Sequence, residues 1–306
     1  MKSKEKFSSK LGTFLLFAGP AVISFVLVVM LPMVYGIYLT FTSWDGFSDA
    51  KPFVGIANYI SVFKDTAFWT SLWITVKYVF LSVIFINVIA FCLAYLLTSG
   101  IKGQNFLRAG FFTPNLIGGI VLGYIWQFIF SRVLVDLNSI LNLPIFAKSW
   151  LSSPQGLWFS NAAFETQGAF AAMVIVTTWQ YSGYMLLIYI SGFVSVPQDL
   201  IEAAKIDGGT SSQITRHITM PMMVPAFVTC IFLSLTRCFK VYDLNLALTA
   251  GGPYDSTKMA AMHIYTQAFE NHLYGIGQAE ALVLFLVMGI IAFIQISVGK
   301  SKEVEA

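Results

Sequence analysis

Apolar residues fall along this chain in six long runs, and polar residues crowd into the intervals between them. The runs lie near residues 12–40, 71–98, 107–131, 168–195, 221–248 and 279–298. As a helix, each is long enough to cross a hydrocarbon core of about 30 Å, which takes about 20 apolar residues. A backbone in lipid has to satisfy its own hydrogen bonds, so runs of this length predict membrane-spanning helices. The expected fold class is an all-α polytopic membrane protein with six transmembrane helices, forming a single domain over residues 1–306.

The intervals predict the orientation. Lys2, Lys4, Lys6 and Lys10 place the N-terminus on the cytoplasmic side, which assigns every other interval. Inside then fall these four with Lys102, Arg108, Lys205, Arg216, Lys300 and Lys302. Lys51, Lys64, Arg132, Lys148 and Lys258 fall outside. The two-to-one excess of basic residues inside predicts both termini in the cytoplasm. The Ser43–Thr70 interval, outside, alternates aromatic and polar residues. A short interfacial helix is expected over Ile56 to Lys64, with Trp44, Phe53, Tyr59, Phe63, Phe68, Trp69 and Trp73 at headgroup level. Pro114 and the Gly118-Gly119 pair interrupt the third run, as in a helix covered by close neighbours. Residues Arg132 to Thr166 read as a long external loop with at most one short helix. Thr249 to Gly277 reads as another.

Composition agrees and narrows the function. Hydrophobic residues make up 57% of the 306 and charged residues 11%, against about 25% charged in ordinary globular chains. The net charge of +3, with scattered basic residues, gives no footprint for nucleic acid. Cys92, Cys230 and Cys238 lie in or beside apolar runs without metal-ligand spacing and read as buried small hydrophobes. His263 and His272 lack a third ligand nearby in sequence, so solvent or interface positions are expected for them; His217 reads as a surface residue. No Gly-x-Ser-x-Gly, His-Glu-x-x-His or Cys-x-x-Cys is present, which speaks against catalysis. Gly299-Lys300-Ser301 ends like a Walker A loop, but Ile294 occupies the position of its first glycine.

One interval carries most of the functional information: IEAAKIDGGTSSQITRHITMP, Ile201 to Pro221, within a cytoplasmic loop over 196–220. Ser195 and Gln198 have capping-box spacing, Pro197 suits a first helical turn and Gly208-Gly209 offers a left-handed stop, which predicts a helix from Val196 to Asp207. On that helix Glu202 points away from Leu200 and Ala204, and Ala203 and Ala204 allow another surface to approach. Thr210, Ser211 and Ser212 can cap a second short helix, after which Pro221 starts the next span.

The Glu202-Ala203-Ala204 triplet, followed at fixed spacing by Gly208, Ile218 and Met220-Pro221, resembles the EAA loop of binding-protein-dependent ABC importer permeases. The family ends its pattern Leu-Pro where this chain has Met220-Pro221. The resemblance implies the type I ABC importer permease fold, with this loop as the coupling helix docked on a cytoplasmic ABC ATPase dimer. It further implies that Glu202 pairs with a basic ATPase residue and that Gly208 makes the turn between two short helices. No cofactor is then bound by this chain; ATP and Mg belong to the partner ATPase. The other implied partners are a second homologous permease subunit, more readily a different chain than a second copy, an extracytoplasmic solute-binding protein, and membrane lipid. The implied location is a bacterial cytoplasmic (inner) membrane. The rival reading, an ion-gradient-driven secondary transporter of small polar solutes, leaves the loop unexplained and finds no evident duplicated half.

Polar residues within the runs are candidates for substrate. Trp179, Gln180, Tyr181, Ser182 and Tyr184 cluster in the fourth run, where ring faces and amide or hydroxyl groups suit sugars. Maltose-type permeases contribute sugar contacts at about this position, which points to Gln180, Tyr181 and Tyr184; plain helix packing is the alternative. The fifth run ends with Phe239-Lys240-Val241-Tyr242-Asp243 and Leu248-Thr249-Ala250-Gly251-Gly252-Pro253, which resembles the sugar permeases of the maltose-F or glycerol-phosphate-A type, with Tyr242 replacing the usual Phe. Lys240 and Asp243, three apart on a helix, are expected either to neutralise each other or to meet the ligand. Arg237, one turn earlier, has no partner in the local sequence. It is expected to face either a carboxylate of a partner subunit or a passing acidic sugar.

Overall fold

The computed structural model describes residues 13–14, 16–141, 149–151 and 167–301. In chain order the helices are α1 (Gly19–Leu39), α2 (Ala57–Lys64), α3 (Thr66–Thr98), α4 (Gln104–Phe112), α5 (Gly119–Ile140), α6 (Gln167–Val194), α7 (Gln198–Ile206), α8 (Ser211–Met222), α9 (Val224–Phe239), α10 (Asp243–Leu248), α11 (Ala260–Tyr265) and α12 (Tyr274–Lys300). Helices α1, α3, α5, α6 and α12 are each long and apolar enough to cross a membrane. Helices α8 and α9, bent by 63° where they meet, supply a sixth crossing when taken as one span. The chain is an all-α polytopic membrane protein.

Two of the expected spans differ from their runs. The third was expected over 107–131, but α4 ends at Phe112, a 3-10 turn covers Thr113–Leu116, and α5 starts only at Gly119. Pro114 cannot donate a backbone N–H and fixes its own φ, and Ile117 and Gly118 turn extended (ψ 126° and 145°). Helix α5 then continues to Ile140, into the stretch expected to be a loop. The remainder of that expected loop, 142–148 and 152–166, lies outside the described residues, as do Lys2, Lys4, Lys6, Lys10, Lys148 and Lys302. The fifth span, expected as one helix from Pro221 to Leu248, is bent at Met223, ahead of Pro225, and broken over Lys240–Tyr242.

Contacts divide the chain into two units, Met1–Thr66 with Ile264–Val283, and Ala67–His263 with Leu284–Ala306. In the first, buried Asn58 of α2 donates from Nδ2 to the carbonyls of Thr40 and Thr42 (both 2.8 Å), and Thr40 Oγ1 meets the Tyr59 hydroxyl at 2.7 Å. Asp45 Oδ1 accepts from the backbone N–H of Ser48 (2.8 Å) and Phe47 (3.0 Å), and these bonds hold its carboxyl down to about 2. Phe53 and Phe63 are exposed, as a headgroup position requires. Trp44 is instead tucked against Tyr274, with ring centroids 5.2 Å apart.

In the second unit the core lies between α3, α6 and α9. Tyr78, Ile86, Met173, Met185, Tyr189 and Cys230 are buried in it. Polar pairs cross it: the Tyr78 hydroxyl with Thr177 Oγ1 at 2.6 Å, Tyr189 OH to Asn87 Oδ1 at 2.8 Å, and Asn87 Nδ2 to Ser234 Oγ at 2.9 Å. Within a membrane such bonds contribute about 1 kcal/mol each and set the register of the helices. Phe68, expected at headgroup level, is fully buried and its ring faces buried His263 (5.9 Å), so neither lies where the sequence suggested. Cys230 and Cys238 are buried as expected, whereas Cys92 is exposed. The stretch expected as a loop from Thr249 also folds into α11. Ahead of it, Asn245 donates to Thr249 Oγ1 (2.9 Å) and the Thr257 carbonyl (2.8 Å), which ties the Gly-Gly-Pro turn to α10.

Candidate functional site

Two features of the second unit bear on function. The first is the loop around α7. Its helix begins two residues later than the sequence suggests, because Pro197 takes the N-cap with extended ψ (128°) and Ser195 Oγ donates back to the Gly192 carbonyl at 2.8 Å. Its end is as expected: Gly208 adopts φ +81°, a conformation that a Cβ disfavours. Thr210 then caps α8 with a capping box, its backbone N–H donating to Gln213 Oε1 at 2.8 Å and its Oγ1 accepting from the Gln213 N–H at 3.4 Å.

Glu202 and Ala203 are exposed on α7, and Ile206, one turn beyond Glu202, is 86% exposed. Ala204 turns inward to line a hollow of about 350 Å³ shared with Gly208, Ile214, His217 and Ile218, while Pro221 lies half-buried in the last turn of α8. His217 is exposed, with Nδ1 3.0 Å from the Gln213 carbonyl. An exposed carboxylate beside an isoleucine that no described residue covers gives a compact surface with one charge and one apolar anchor. Replacing Thr210 with Ala removes the box and is expected to weaken the start of α8 by about 1 kcal/mol. Amide exchange over 211–214 should quicken about fivefold, measured by mass spectrometry.

The second feature is a polar cluster where α4 gives way to α5. The extended break leaves the Ile117 carbonyl without a helical partner, and Gln180 Nε2 donates to it at 3.1 Å. Gln180, expected to meet substrate, is therefore buried and committed to the backbone. Beside it, Tyr181 and Tyr184 are half-buried on α6, and the guanidinium carbon of Arg237 lies 5.0 Å and 4.5 Å from their ring centroids. Arg237 sits in the last turn of α9, where the free carbonyls of a helix end favour a cation. Its Nη1 donates to Asn115 Oδ1 at 2.7 Å. Asn115 went unmarked in the sequence reading, although an amide next to a proline inside an apolar run is a usable signal.

Lys240 and Asp243 do not form the expected pair. Both are exposed, no ion pair joins them among the described residues, and the break between α9 and α10 separates them. Asp243 instead opens α10, which crosses α5 closely: a methyl on Gly119 would lie 2.9 Å from Asp243 Cβ. A larger cavity of about 620 Å³ lies between α3, α4 and α6, lined by Phe85, Ile89, Phe106, Phe111 and Trp179. Its wall is almost wholly apolar and offers a sugar little to bond, so the Tyr181–Tyr184–Arg237 cluster is the better substrate candidate.

Helices long and apolar enough to cross a membrane, with an exposed loop of two short helices, make this a multi-pass membrane protein, and its family and relatives make it a transport component rather than a catalyst. The chain belongs to the family of binding-protein-dependent transport system inner membrane components, whose model matches residues 6–299. It is 39% identical over 305 residues, covering 100% of both chains, to a probable starch degradation products transport system permease protein of Thermoanaerobacterium thermosulfurigenes. It is 30% identical over 273 residues, 89% of this chain and 90% of the other, to a multiple sugar-binding transport system permease protein of Streptococcus mutans serotype c. In fold it is similar to a chain of a bacterial ABC transporter that imports the acidic polysaccharide alginate, with a TM-score of 0.78 at 18% identity over 97% of this chain and 99% of that one.

Proposed function

We propose that this chain is the transmembrane permease subunit of an ATP-driven ABC importer for carbohydrates, at the level of a sugar or oligosaccharide. The observation that carries the proposal is the exposed Glu202–Ile206 face of α7, whose turn into α8 is set by Gly208 and Thr210, in a chain of this family. Such a surface suits docking on an ATPase. Closure of an ATPase dimer pulls on α7, and the bend between α8 and α9 passes the motion to Arg237 at the far end of α9. ATP and Mg are held by that partner. A second permease subunit completes the pathway, and a solute-binding protein delivers the sugar.

The carbohydrate class is supported by the names of the relatives, two of which concern starch products and multiple sugars. It is also supported by the two tyrosine faces at the cluster, against which sugar C–H groups stack. The docking loop and both termini face the cytoplasm in this reading, following the excess of lysine and arginine in the intervals assigned there. The chain would then sit in a bacterial cytoplasmic membrane.

Uptake of labelled maltotriose by cells carrying the whole transport system tests the proposal. Depletion of ATP should stop uptake, and a protonophore should leave it intact while ATP is maintained; the reverse pattern would favour a gradient-driven carrier. Tyr184→Ala should raise the KM for uptake about tenfold by removing one stacking face.

A further inference from the structure

The polar cluster joins three stretches far apart in the chain: the turn at Asn115, helix α6 at Tyr181 and Tyr184, and the end of α9 at Arg237. We infer that Asn115 and Arg237 are positioning residues for the sugar: Asn115 pins the guanidinium, and the pinned guanidinium holds the Tyr181 and Tyr184 rings as a stacking platform. The inference rests on the carbohydrate reading above and deepens it by naming the residues that set the platform.

The anchor is rigid. Asn115 lies in the 3-10 turn Thr113–Leu116 directly after buried Pro114, whose ring fixes its backbone, and two residues on Gln180 holds the Ile117 carbonyl at 3.1 Å. From this turn the amide oxygen accepts a short, charge-assisted bond of 2.7 Å from Arg237 Nη1. A guanidinium is a rigid planar fork, so a bond at one nitrogen ties the whole group to the turn. Its central carbon lies 4.5 Å and 5.0 Å from the Tyr184 and Tyr181 ring centroids, and these contacts restrict rings that two soft torsions would otherwise leave free. A lysine has neither the fork nor the plane.

A cation inside a span is costly unless compensated. Arg237 is compensated by the Asn115 amide dipole, two ring faces and the carbonyl end of α9. Asn115 engages only Nη1, so the other guanidinium N–H groups remain, with the ring faces and tyrosine hydroxyls, to meet a sugar.

The test uses the complete transporter in proteoliposomes, with two readouts. Asn115→Ala should raise the KM for labelled maltotriose about tenfold with a much smaller change in maximal rate. Arg237→Lys should do the same, and the double variant should be no worse than either alone. Asn115→Asp, which keeps an acceptor for the guanidinium, should restore a KM near that of the unmodified chain. Independently of substrate, fluorotyrosine at position 184 should show faster ring motion by NMR in Asn115→Ala and normal motion in Asn115→Asp. Unchanged KM and ring motion in Asn115→Ala overturn the inference. A transporter that takes up no carbohydrate refutes the reading of its function, while the ring-motion arm still decides whether Asn115 pins the cluster.

Discussion

Glu202→Arg is expected to cut ATP-driven uptake about a hundredfold and to release the ATPase during purification, while the variant still inserts and folds. Glu202 is exposed on α7 and bonds to no other described group, so its replacement disturbs nothing inside the chain. Across an interface, removing one member of a hydrogen-bonded charge pair costs about 2–5 kcal/mol, and reversing its sign adds repulsion. At about 1.4 kcal/mol per factor of ten, a hundredfold loss lies within that range. Glu202→Asp, with a shorter reach, should fall between. Ile206→Asp, which removes the apolar anchor one turn away, should give a second large loss by desolvation rather than by pairing. Both quantities are measurable together, as ATPase recovered per permease and initial uptake rate. Full recovery of ATPase with normal uptake in Glu202→Arg would remove α7 from the docking surface.

How much of this was legible in the sequence depends on how far the governing contacts reach. The ends of α7 and the start of α8 were readable because Gly208, Thr210 and Gln213 act on their own backbone within a few residues. Helices α3, α6 and α12 were readable because a long apolar stretch in lipid has no alternative to closing its own hydrogen bonds. The break over Lys240–Tyr242 was not, since no proline or glycine marks it. It follows the packing of α10 across α5, where a methyl on Gly123 would come within 2.5 Å of Ala247 Cβ. That contact depends on glycines more than a hundred residues upstream. The cluster divided along the same line. Its aromatic rings stood out in α6, whereas the partner of Arg237 lies 122 residues away, and nothing local to the arginine points to Asn115. His263 failed for a related reason, because a histidine in an interval between spans reads as exposed until a distant ring, here Phe68, is found beside it.

The approach of α4 to α6 supplies the second large prediction, through Gly183. A methyl there would overlap the Phe111 carbonyl oxygen, lie 2.5 Å from the Phe111 carbonyl carbon and reach within 3.0 Å of Phe112 Cα. These are backbone atoms of a neighbouring helix, so no side-chain rotation can relieve them. The two helices must part, and the overlap should cost about 3 kcal/mol, the upper end for overpacking a fitted interior. Gly183→Ala should therefore lower the Tm of the purified transporter by at least about 6 °C. The disturbance should also reach the Tyr181–Tyr184–Arg237 cluster, because α4 leads through Pro114 to Asn115: as α4 is displaced, the 2.7 Å bond to Arg237 should lengthen and the KM for sugar should rise with the loss of stability. Gly110→Ala is the matched control. It lies on α4 itself but meets nothing within 4 Å, so the same added methyl should leave Tm and KM essentially unchanged. Equal behaviour of the two variants would mean that α4 does not seat on Gly183, and the position assigned to Asn115 would fall with it.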